Sequence, residues 1–275
     1  MNIAQILQNP SIESNDSLTR ETFNEGYGFP SVPVVITDMT NTWEAKQKWN
    51  FDFFKKRFGE VIGKAERMQN GVKESQEFTI ESYIDYMTTT NDEFPYYLRN
   101  TQFHLGTEIR NDYAIPEYFD CWYANNTKGN NKYALSWIFM GAAKTYSKLH
   151  LDIWDSSAWN AVLSGQKLWV FYDLSQAEFL YDGQVNPFNP DYEKFPKFAE
   201  AKPIICVQKA GDVIFTPSGW WHAVMNLEAG ISITENFINE TNYENVIRFF
   251  ETKNNKQACR DIEALAMKYG NLVCV

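Results

Sequence analysis

Short apolar runs, broken by Gly, Pro and Asn, dominate the second half of the chain. The runs are rich in Val, Ile, Phe and Trp and lie at 136–141, 147–152, 158–163, 167–173, 204–208, 212–216, 222–227 and 231–237. Many short strands at this spacing are typical of an antiparallel sandwich or barrel. Ser164 and Gly165 indicate a tight turn, so the two strands that flank them are expected to form a hairpin. The pattern predicts a mainly β fold.

The two ends of the chain show mixed helical and extended patterns. The first half predicts a helix at 3–7, a strand at 33–38, a helix at 50–59, a helix at 79–87 and a strand at 95–98. Asn50 and Thr79 are candidate N-caps of the second and third helices. Beyond Asn242, apolar residues recur at helical spacing and predict two helices that either pack on the barrel or form a dimer surface. The expected organisation is N-terminal additions over 1–135, a β core over 136–240 and C-terminal helices over 241–275.

Charge narrows the choice of partners. The protein has a net charge of −10 and no basic run longer than the three residues Lys55-Lys56-Arg57, which argues against binding a nucleic-acid backbone. An acidic surface favours a cationic substrate, such as a peptide rich in Lys or Arg. Acidity is also the common way in which intracellular proteins stay soluble, so a basic substrate is one of two interpretations of the charge. We expect a peptide or protein partner and no nucleic acid.

The cysteines and the N-terminal residues indicate the cellular compartment of the protein. The cysteines form no Cys-x-x-Cys pair and are expected to be free thiols; they are Cys121, Cys206, Cys259 and Cys274. The first residues lack a basic segment followed by a continuous apolar one, and no stretch reaches the ~18 apolar residues of a membrane span. The sequence predicts a cytoplasmic protein that does not enter a membrane.

Two histidines and one aspartate form a candidate iron site. His150 and Asp152 are two apart on one predicted strand, so both side chains point to the same face. His222 lies on a later strand, which a closed antiparallel sheet brings close. Two His and one carboxylate form the facial triad that holds Fe(II) and leaves positions open for a co-substrate and dioxygen. The pattern indicates an oxygenase.

The sequence around the triad shows a family resemblance. His150-x-Asp152 is followed by Ser157-Ala158-Trp159-Asn160, then Gly165-Gln166-Lys167, then Pro217-Ser218-Gly219-Trp220-Trp221-His222, then Ile233-Thr234-Glu235-Asn236-Phe237. In this order the motifs, which span roughly residues 33–237, resemble those of the JmjC (cupin-like) 2-oxoglutarate oxygenases, and most of all the small-JmjC protein hydroxylases. The resemblance implies a double-stranded β-helix of the jelly-roll type with His150, Asp152 and His222 as the iron ligands.

The resemblance also implies residues that bind the co-substrate. Lys167 matches the cation that pairs with the distal carboxylate of 2-oxoglutarate. Polar positions matched to the same co-substrate are Tyr97, Asn160, Thr234, Ser147 and, with a less defined role, Asn226. The tryptophans of these motifs are interpreted as packing residues; they are Trp159, Trp169, Trp220 and Trp221. His104 lies outside the matched motifs and is expected at the surface.

One departure from the family pattern concerns the substrate. The family has Pro directly after the Asp, whereas here the sequence reads Ile153-Trp154-Asp155, and Trp154 and Asp155 are candidates for substrate recognition. The resemblance implies hydroxylation of an amino-acid side chain in a peptide or protein, with conversion of 2-oxoglutarate and dioxygen to succinate and CO₂. Two alternatives remain: an oxygenase acting on a small molecule or free amino acid, and a non-catalytic cupin that serves as a binding module.

Overall fold

The computed structural model describes residues 3–69, 72–127 and 135–270. The strands are β1 (Glu13–Asn15), β2 (Val34–Ile36), β3 (Ile62–Gln69), β4 (Val72–Thr79), β5 (Tyr97–Thr101), β6 (Ser136–Gly141), β7 (Tyr146–His150), β8 (Ser157–Ser164), β9 (Gln166–Tyr172), β10 (Ile204–Lys209), β11 (Val213–Thr216), β12 (Trp221–Asn226) and β13 (Gly230–Phe237). The helices are α1 (Ile3–Ile6), α2 (Arg20–Phe23), α3 (Glu44–Lys48), α4 (Phe51–Phe58), α5 (Ile80–Thr89), α6 (Trp122–Asn126), α7 (Tyr243–Thr252) and α8 (Lys256–Tyr269). Short 3₁₀ turns occupy several of the connections.

The strands of the described residues form two sheets. The large sheet has the order β1-β2-β11-β8-β13-β6-β5-β3-β4, and the small sheet has the order β10-β9-β12-β7. Apart from the parallel pair β1–β2, neighbouring strands are antiparallel. Two packed antiparallel sheets with helices before and after them match the predicted jelly-roll fold, which is confirmed.

Three apolar layers hold the sheets in place. Between the sheets, Trp169 and Phe171 of β9 pack against Ile214 of β11. The outer face of the large sheet is covered by the N-terminal helices, with Trp159 in the middle of an aromatic cluster. The outer face of the small sheet is covered by residues 174–200, which include Phe198. Because both faces of each sheet are covered, the space between the sheets is shielded and can hold polar side chains away from bulk water.

The prediction of a hairpin at Ser164 and Gly165 is wrong. Gly165 does adopt a left-handed conformation (φ +80°), but β8 belongs to the large sheet and β9 to the small one. The two strands are buried along almost their whole lengths, so each needs neighbours on both faces. Ser164 and Gly165 do reverse the chain, as their turn propensity predicts. Because both strands are buried, the chain passes from one sheet to the other at this turn instead of forming a hairpin within one sheet.

The predicted caps are present, and one hairpin was missed. Asn50 accepts a hydrogen bond from the Phe53 amide at the start of α4, and Thr79 accepts one from the Ser82 amide at the start of α5. The hairpin β3–β4 was not predicted from the sequence. Its residues are mostly polar and only Ala65 is buried, so the apolar alternation that marks a half-buried strand is weak there.

The C-terminal helices pack on the body of the protein. Ile262 and Leu265 of α8 and Val246 of α7 are buried against Trp122 of α6 and Ile238 after β13. The first of the two predicted arrangements is therefore present. In the described residues, no helix is both long and apolar enough to cross a bilayer. Cys121, Cys206 and Cys259 are free thiols, as predicted, and Cys274 lies outside the described residues.

Candidate metal centre

The three predicted ligands converge at one end of the small sheet. His150 ends β7, and His222 lies directly opposite it on β12, with the ring centroids 4.3 Å apart. Asp152 follows two residues after His150. One ligand atom from each residue lies within 4.8 Å of the other two. Metal–ligand bonds of ~2.0–2.2 Å place two ligands of one ion about 3–4 Å apart, so a small contraction suffices to bind one ion.

Backbone hydrogen bonds set the tautomer of both imidazoles. The Nδ1 atoms of His150 and His222 lie 2.7 Å and 3.0 Å from the carbonyl oxygens of Lys148 and Trp220. A carbonyl oxygen only accepts, so Nδ1 carries the proton and donates in each case. The lone pair of each ring is then on Nε2, which is the arrangement that metal-binding histidines use.

Burial shifts the pKa values of the three triad residues. It lowers the pKa of His150 and of His222 to about 4, so both rings are neutral near pH 7 and can donate their lone pairs. It also raises the pKa of Asp152. The Oδ2 atom of Asp152 is buried and has no hydrogen-bond partner among the residues described. A buried carboxylate oxygen without a donor is costly unless a cation binds it, so these residues fit a divalent metal.

Lys167 lies on the same inner surface, farther into the sandwich. The residue is 6% exposed, and its Nζ lies 3.5 Å from the Tyr97 hydroxyl and 5.8 Å from the ring centroid of Phe139. Within the described part of the protein, no carboxylate lies within 4.0 Å of this ammonium. Buried charges are normally paired. The site therefore offers a buried cation suited to an anionic ligand.

The spacing between Lys167 and the triad suits a short dicarboxylate. Asn226 of β12 pairs with Lys167 of β9, and four positions along the same strands His222 pairs with Phe171. Four residues of strand span roughly 13 Å. The flexible lysine side chain shortens that gap, so a five-carbon diacid can contact the ammonium with one end and the metal position with the other.

The other predicted co-substrate residues surround this gap. Asn160 and Thr234 are directly paired on β8 and β13, and the Asn160 amide donates to the Thr234 hydroxyl at 2.5 Å. The Oδ1 atom of Asn160 is buried and has no partner in the described residues. The Ser147 hydroxyl accepts from the Val224 amide at 3.1 Å. Their inward positions agree with the predicted role, which remains a prediction.

A β-bulge brings Ser147 and His150 to one face. Between His150 and Ser147 the backbone advances three residues on β7, while β12 advances only two from His222 to Val224. The extra residue on β7 cancels the alternation that would send Ser147 to the opposite face. Both side chains therefore lie beside residues of the inner surface.

Thr145, Gly141 and Asn236 belong to the site but were not predicted from the sequence. The Asn226 amide donates to the Thr145 hydroxyl at 2.7 Å. Gly141 touches the same group, because a Cβ there would meet Asn226 Nδ2 at 2.2 Å. The Asn236 amide donates to the Ser156 hydroxyl at 3.1 Å and, beside Asp152, partly offsets the rise in the Asp152 pKa. Only Asn236 had a signal, since it lies two residues from Thr234 and shares its face.

The predicted surface position of His104 is wrong. The ring is 0% exposed, and its Nε2 lies 2.8 Å from the Ser136 hydroxyl. Ser136 in turn donates to Glu235, which also accepts a 2.6 Å hydrogen bond from Tyr113. Burial lowers the pKa of His104 to about 4, so the ring is neutral within this polar network. The histidine belongs to the interior outside the large sheet and not to the metal site.

Trp154 and Asp155 are held by contacts within the protein. Both adopt left-handed backbone conformations (φ 59° and 53°). The Trp154 ring packs against Phe250 of α7, at 5.6 Å between centroids, and Asp155 accepts a 2.8 Å hydrogen bond from the Gly219 amide. This loop therefore ties the metal end of the sandwich to the C-terminal helices. Recognition of a substrate by these two residues remains a prediction.

Comparison with known protein families and proteins assigns the chain to a family. The sequence model of the cupin-like domain family matches residues 20–245, so the chain belongs to this family. It is similar to the arginine-specific demethylase JMJ22 of Arabidopsis thaliana, with 31% identity over 274 residues that cover 92% of this chain and 52% of JMJ22.

Two further relatives come from animals. The bifunctional arginine demethylase and lysyl-hydroxylase psr-1 of Caenorhabditis elegans is 30% identical over 82% of this chain and 60% of psr-1. The 2-oxoglutarate and iron-dependent oxygenase JMJD4 of Gallus gallus is 26% identical over 84% of this chain and 60% of JMJD4. The predicted resemblance to the JmjC oxygenases is confirmed. The chain spans half to three fifths of the length of these relatives.

Proposed function

We propose that the protein is an Fe(II)- and 2-oxoglutarate-dependent oxygenase that hydroxylates an amino-acid side chain in a peptide or protein. The observation that carries the proposal is a His-Asp-His cluster with two neutral imidazoles, together with a buried ammonium that lacks a carboxylate partner among the described residues. A divalent metal fits the first group, and an anionic co-substrate fits the second. The names of psr-1 and JMJD4 support the same chemistry.

The side chains of the site have separate tasks. His150, Asp152 and His222 would hold the metal, and the backbone carbonyls bound to the two imidazoles keep the lone pairs directed at it. When bound, Fe(II) with 2-oxoglutarate and dioxygen supplies the oxidation, giving succinate, CO₂ and one oxygen atom inserted into a substrate C–H bond. Lys167 would bind the distal carboxylate, at a position where burial strengthens the attraction between opposite charges.

Apolar side chains around the site limit access of water. The rings of Trp169 and Phe171 both lie 5.8 Å from the His222 ring, between centroids. They cover the side of the imidazole that faces the interior of the sandwich. This wall lowers the local polarity and shields an oxidation that water would otherwise divert.

The class of substrate rests on the relatives. The names of JMJ22 and psr-1 refer to arginine demethylation, and that of psr-1 also refers to lysyl hydroxylation. Both activities insert oxygen into a C–H bond of an amino-acid residue, because a hydroxylated N-methyl group releases formaldehyde. We favour hydroxylation as the net reaction. A cytoplasmic location and a homodimer formed through α7 and α8 stay predictions.

Anaerobic titration tests the proposal. Addition of Fe(II) and then 2-oxoglutarate to the protein should produce a visible charge-transfer band, and admission of air should release succinate. The variant His150→Ala should show neither, whereas the surface variant Asp16→Asn should behave like the parent protein. Absence of the band and of succinate in the parent protein would support a non-catalytic cupin instead. A mass increase of one oxygen atom in peptides, absent with His150→Ala, would identify the substrate.

A further inference from the structure

A groove of about 800 Å³ opens beside the predicted co-substrate residues and has Tyr97 in its lining. One wall comes from the large sheet and includes β3, β4 and β5, and the other comes from β7 and residues 186–189. Tyr97 and Thr145 line this groove and also contact the co-substrate residues, since Tyr97 neighbours Lys167 and Thr145 binds Asn226. The groove therefore adjoins the proposed active site at its Lys167 end and offers a place for the substrate peptide.

The charge of the groove is opposite to that of the whole protein. Its lining contains more cations than carboxylates, although the protein has a net charge of −10. The lining cations are Arg67, Lys73, Arg99, Lys144 and Lys148, and the lining carboxylates are Glu66 and Glu93. A basic groove on an acidic protein concentrates positive potential at the place where a substrate must dock.

Three of these cations are already engaged in ion pairs. Lys73 lies 2.7 Å from Glu66, and Arg99 lies 3.3 Å from the same carboxylate. Arg67 lies 2.7 Å from Glu74. These pairs hold the hairpin β3–β4 against β5 on the wall formed by the large sheet. An anionic ligand would have to compete with these carboxylates for the three cations.

Lys144 and Lys148 form the free positive wall. Both side chains are exposed, and in the described ranges no carboxylate lies within 4.0 Å of either ammonium. Lys144 lies in the turn before β7, and Lys148 lies on β7 two residues before His150. Two residues of strand span roughly 7 Å. An anionic group that contacts Lys148 would therefore lie close to the reacting end of the site.

The remaining features of the groove favour a peptide. β7 is the edge strand of the small sheet, so one side of its backbone has no neighbouring strand in that sheet and can pair with an extended peptide. Phe94, Phe188 and Met225 give the groove an apolar part that suits a hydrophobic side chain. Nucleic acid fits less well, because two free lysines are few for a polyphosphate backbone and the rest of the protein is acidic.

We propose that this groove binds an extended acidic segment of the substrate protein, with Asp or Glu residues beside Lys144 and Lys148. The inference rests on the proposed function and specifies its substrate class. It replaces the expectation of a basic substrate, which followed from the net charge alone, with acidic residues within about six positions of the oxidised side chain. The target residue itself can still be Lys or Arg.

Peptide binding tests the proposal. The probes are two pools of fluorescent peptides of equal length with the same central residues, Lys, Arg or Asn, and the same single Phe. One pool has flanks of Asp and Glu, and the other has flanks of Lys and Arg. At low ionic strength the acidic pool should bind on the order of 3- to 30-fold more tightly, with the preference reduced by added salt.

Charge reversal locates the effect. In the variant Lys144→Glu/Lys148→Glu the preference should invert, and in the matched control Lys56→Glu/Lys202→Glu, which changes lysines outside the groove by the same charge, it should persist. If the reversal variant fails to fold by circular dichroism, Lys144→Gln/Lys148→Gln should abolish most of the preference. Equal or tighter binding of the basic pool to the parent protein overturns the proposal, and so does a preference that survives the reversal.

Two further measurements separate the possible failures. A single-stranded RNA that displaces the acidic pool better than unlabelled acidic peptides do would overturn the proposal in favour of nucleic acid. The charge-transfer band with Fe(II) and 2-oxoglutarate is recorded on the same protein. If the band forms and the acidic preference is absent, the groove assignment fails and the oxygenase stands. If the preference is present without the band, the groove assignment stands and the oxygenase fails.

Discussion

His150 and His222 face each other across two antiparallel strands, with the ring centroids 4.3 Å apart. Each ring donates its Nδ1 proton to a backbone carbonyl two residues earlier in the sequence. The strand backbones thus orient both the ring planes and the tautomers before any metal binds. A site prepared in this way loses little conformational entropy on metal binding.

The first prediction concerns metal binding at Asp152. The variant Asp152→Asn removes the charge that a divalent ion needs, and it also removes a buried carboxylate whose ionised form is disfavoured. Fe(II) or Mn(II) at about 100-fold its Kd should stabilise the parent protein by ~2.7 kcal/mol, a rise of roughly 5 °C in Tm. The variant should lose this shift, while its metal-free Tm should equal or exceed that of the parent. Thermal denaturation with and without metal measures both.

The exposed aspartate Asp16 provides the control for that experiment. Asp16→Asn makes the same chemical change at the surface and should keep the full metal-dependent shift. A shift of equal size in Asp152→Asn and the parent protein would contradict the assignment of Asp152 as a ligand.

The second prediction is a loss of stability in acid that depends in part on His104. Burial holds the pKa of His104 at about 4, below the ~6.5 of an unfolded histidine. Between these values the unfolded protein binds more protons than the folded protein, so folding stability is complete above about pH 6.5 and falls as the pH drops toward 4. The variant His104→Gln keeps a polar group near Ser136 and does not titrate.

Urea denaturation at several pH values, in the presence of a chelator, measures this effect. Between pH 7 and pH 4.5 the parent protein should lose roughly 1–3 kcal/mol more than His104→Gln does. Identical pH profiles of the two proteins would show that His104 is not a buried neutral group. His150 and His222 add a loss of the same sign in both proteins, so the difference isolates His104.

The β core could be predicted because its burial is regular. In β13, polar residues alternate with the apolar residues that join the aromatic layer outside the large sheet, and β11 is a short, fully buried run that begins with three apolar residues. Both patterns are visible in the sequence. The hairpin β3–β4 could not be predicted in this way. Cross-strand ion pairs such as Arg67–Glu74 and Lys73–Glu66 hold it together, and charged residues at these positions resemble an ordinary surface loop.

The candidate site, too, could be predicted from the sequence only in part. The two-residue spacing of His150 and Asp152 predicted that they share a face, and the family motifs predicted the roles of Lys167 and Asn160. Thr145 could not be found, because its role depends on the contact with Asn226 across two strands. The inward position of Ser147 depends on a bulge, and one inserted residue in a strand leaves no reliable mark on the pattern.

The third prediction concerns the buried ammonium. The variant Lys167→Met removes the charge but keeps most of the side-chain volume. Loss of a charge-assisted contact of about 1.5–3 kcal/mol should raise the KM for 2-oxoglutarate roughly 10- to 150-fold. The metal-free variant should be as stable as the parent or more stable, since no carboxylate in the described residues pairs with this ammonium.

Lys209 supplies the matched control for Lys167. It lies on the adjacent strand β10 but is exposed, so Lys209→Met changes a strand lysine in the same sheet without touching the interior. Succinate formation at varied 2-oxoglutarate concentrations compares the three proteins. An unchanged KM in Lys167→Met would remove this residue from the co-substrate site.

The fourth prediction uses Gly141, where the structure leaves no room for a larger residue. A Cβ at this position would lie 2.2 Å from Asn226 Nδ2, 2.6 Å from Thr145 Oγ1 and 2.8 Å from Tyr97 Cε2. Gly141→Ala must therefore displace the Asn226–Thr145 pair or the Tyr97 ring that neighbours Lys167. We expect a loss of about 1–3 kcal/mol in the free energy of unfolding, together with a higher KM for 2-oxoglutarate.

Gly26→Ala separates this effect from a general response to glycine replacement. A Cβ at Gly26 meets no atom within 4 Å, so the variant should retain both the stability and the KM of the parent protein. Urea denaturation and succinate assays on the two variants give the comparison. If Gly141→Ala matched Gly26→Ala in both measurements, the polar cluster around Asn226 would be looser than the structure indicates, and its link to co-substrate binding would fail. If only the unfolding free energy fell, the cluster would support the fold and not the ligand.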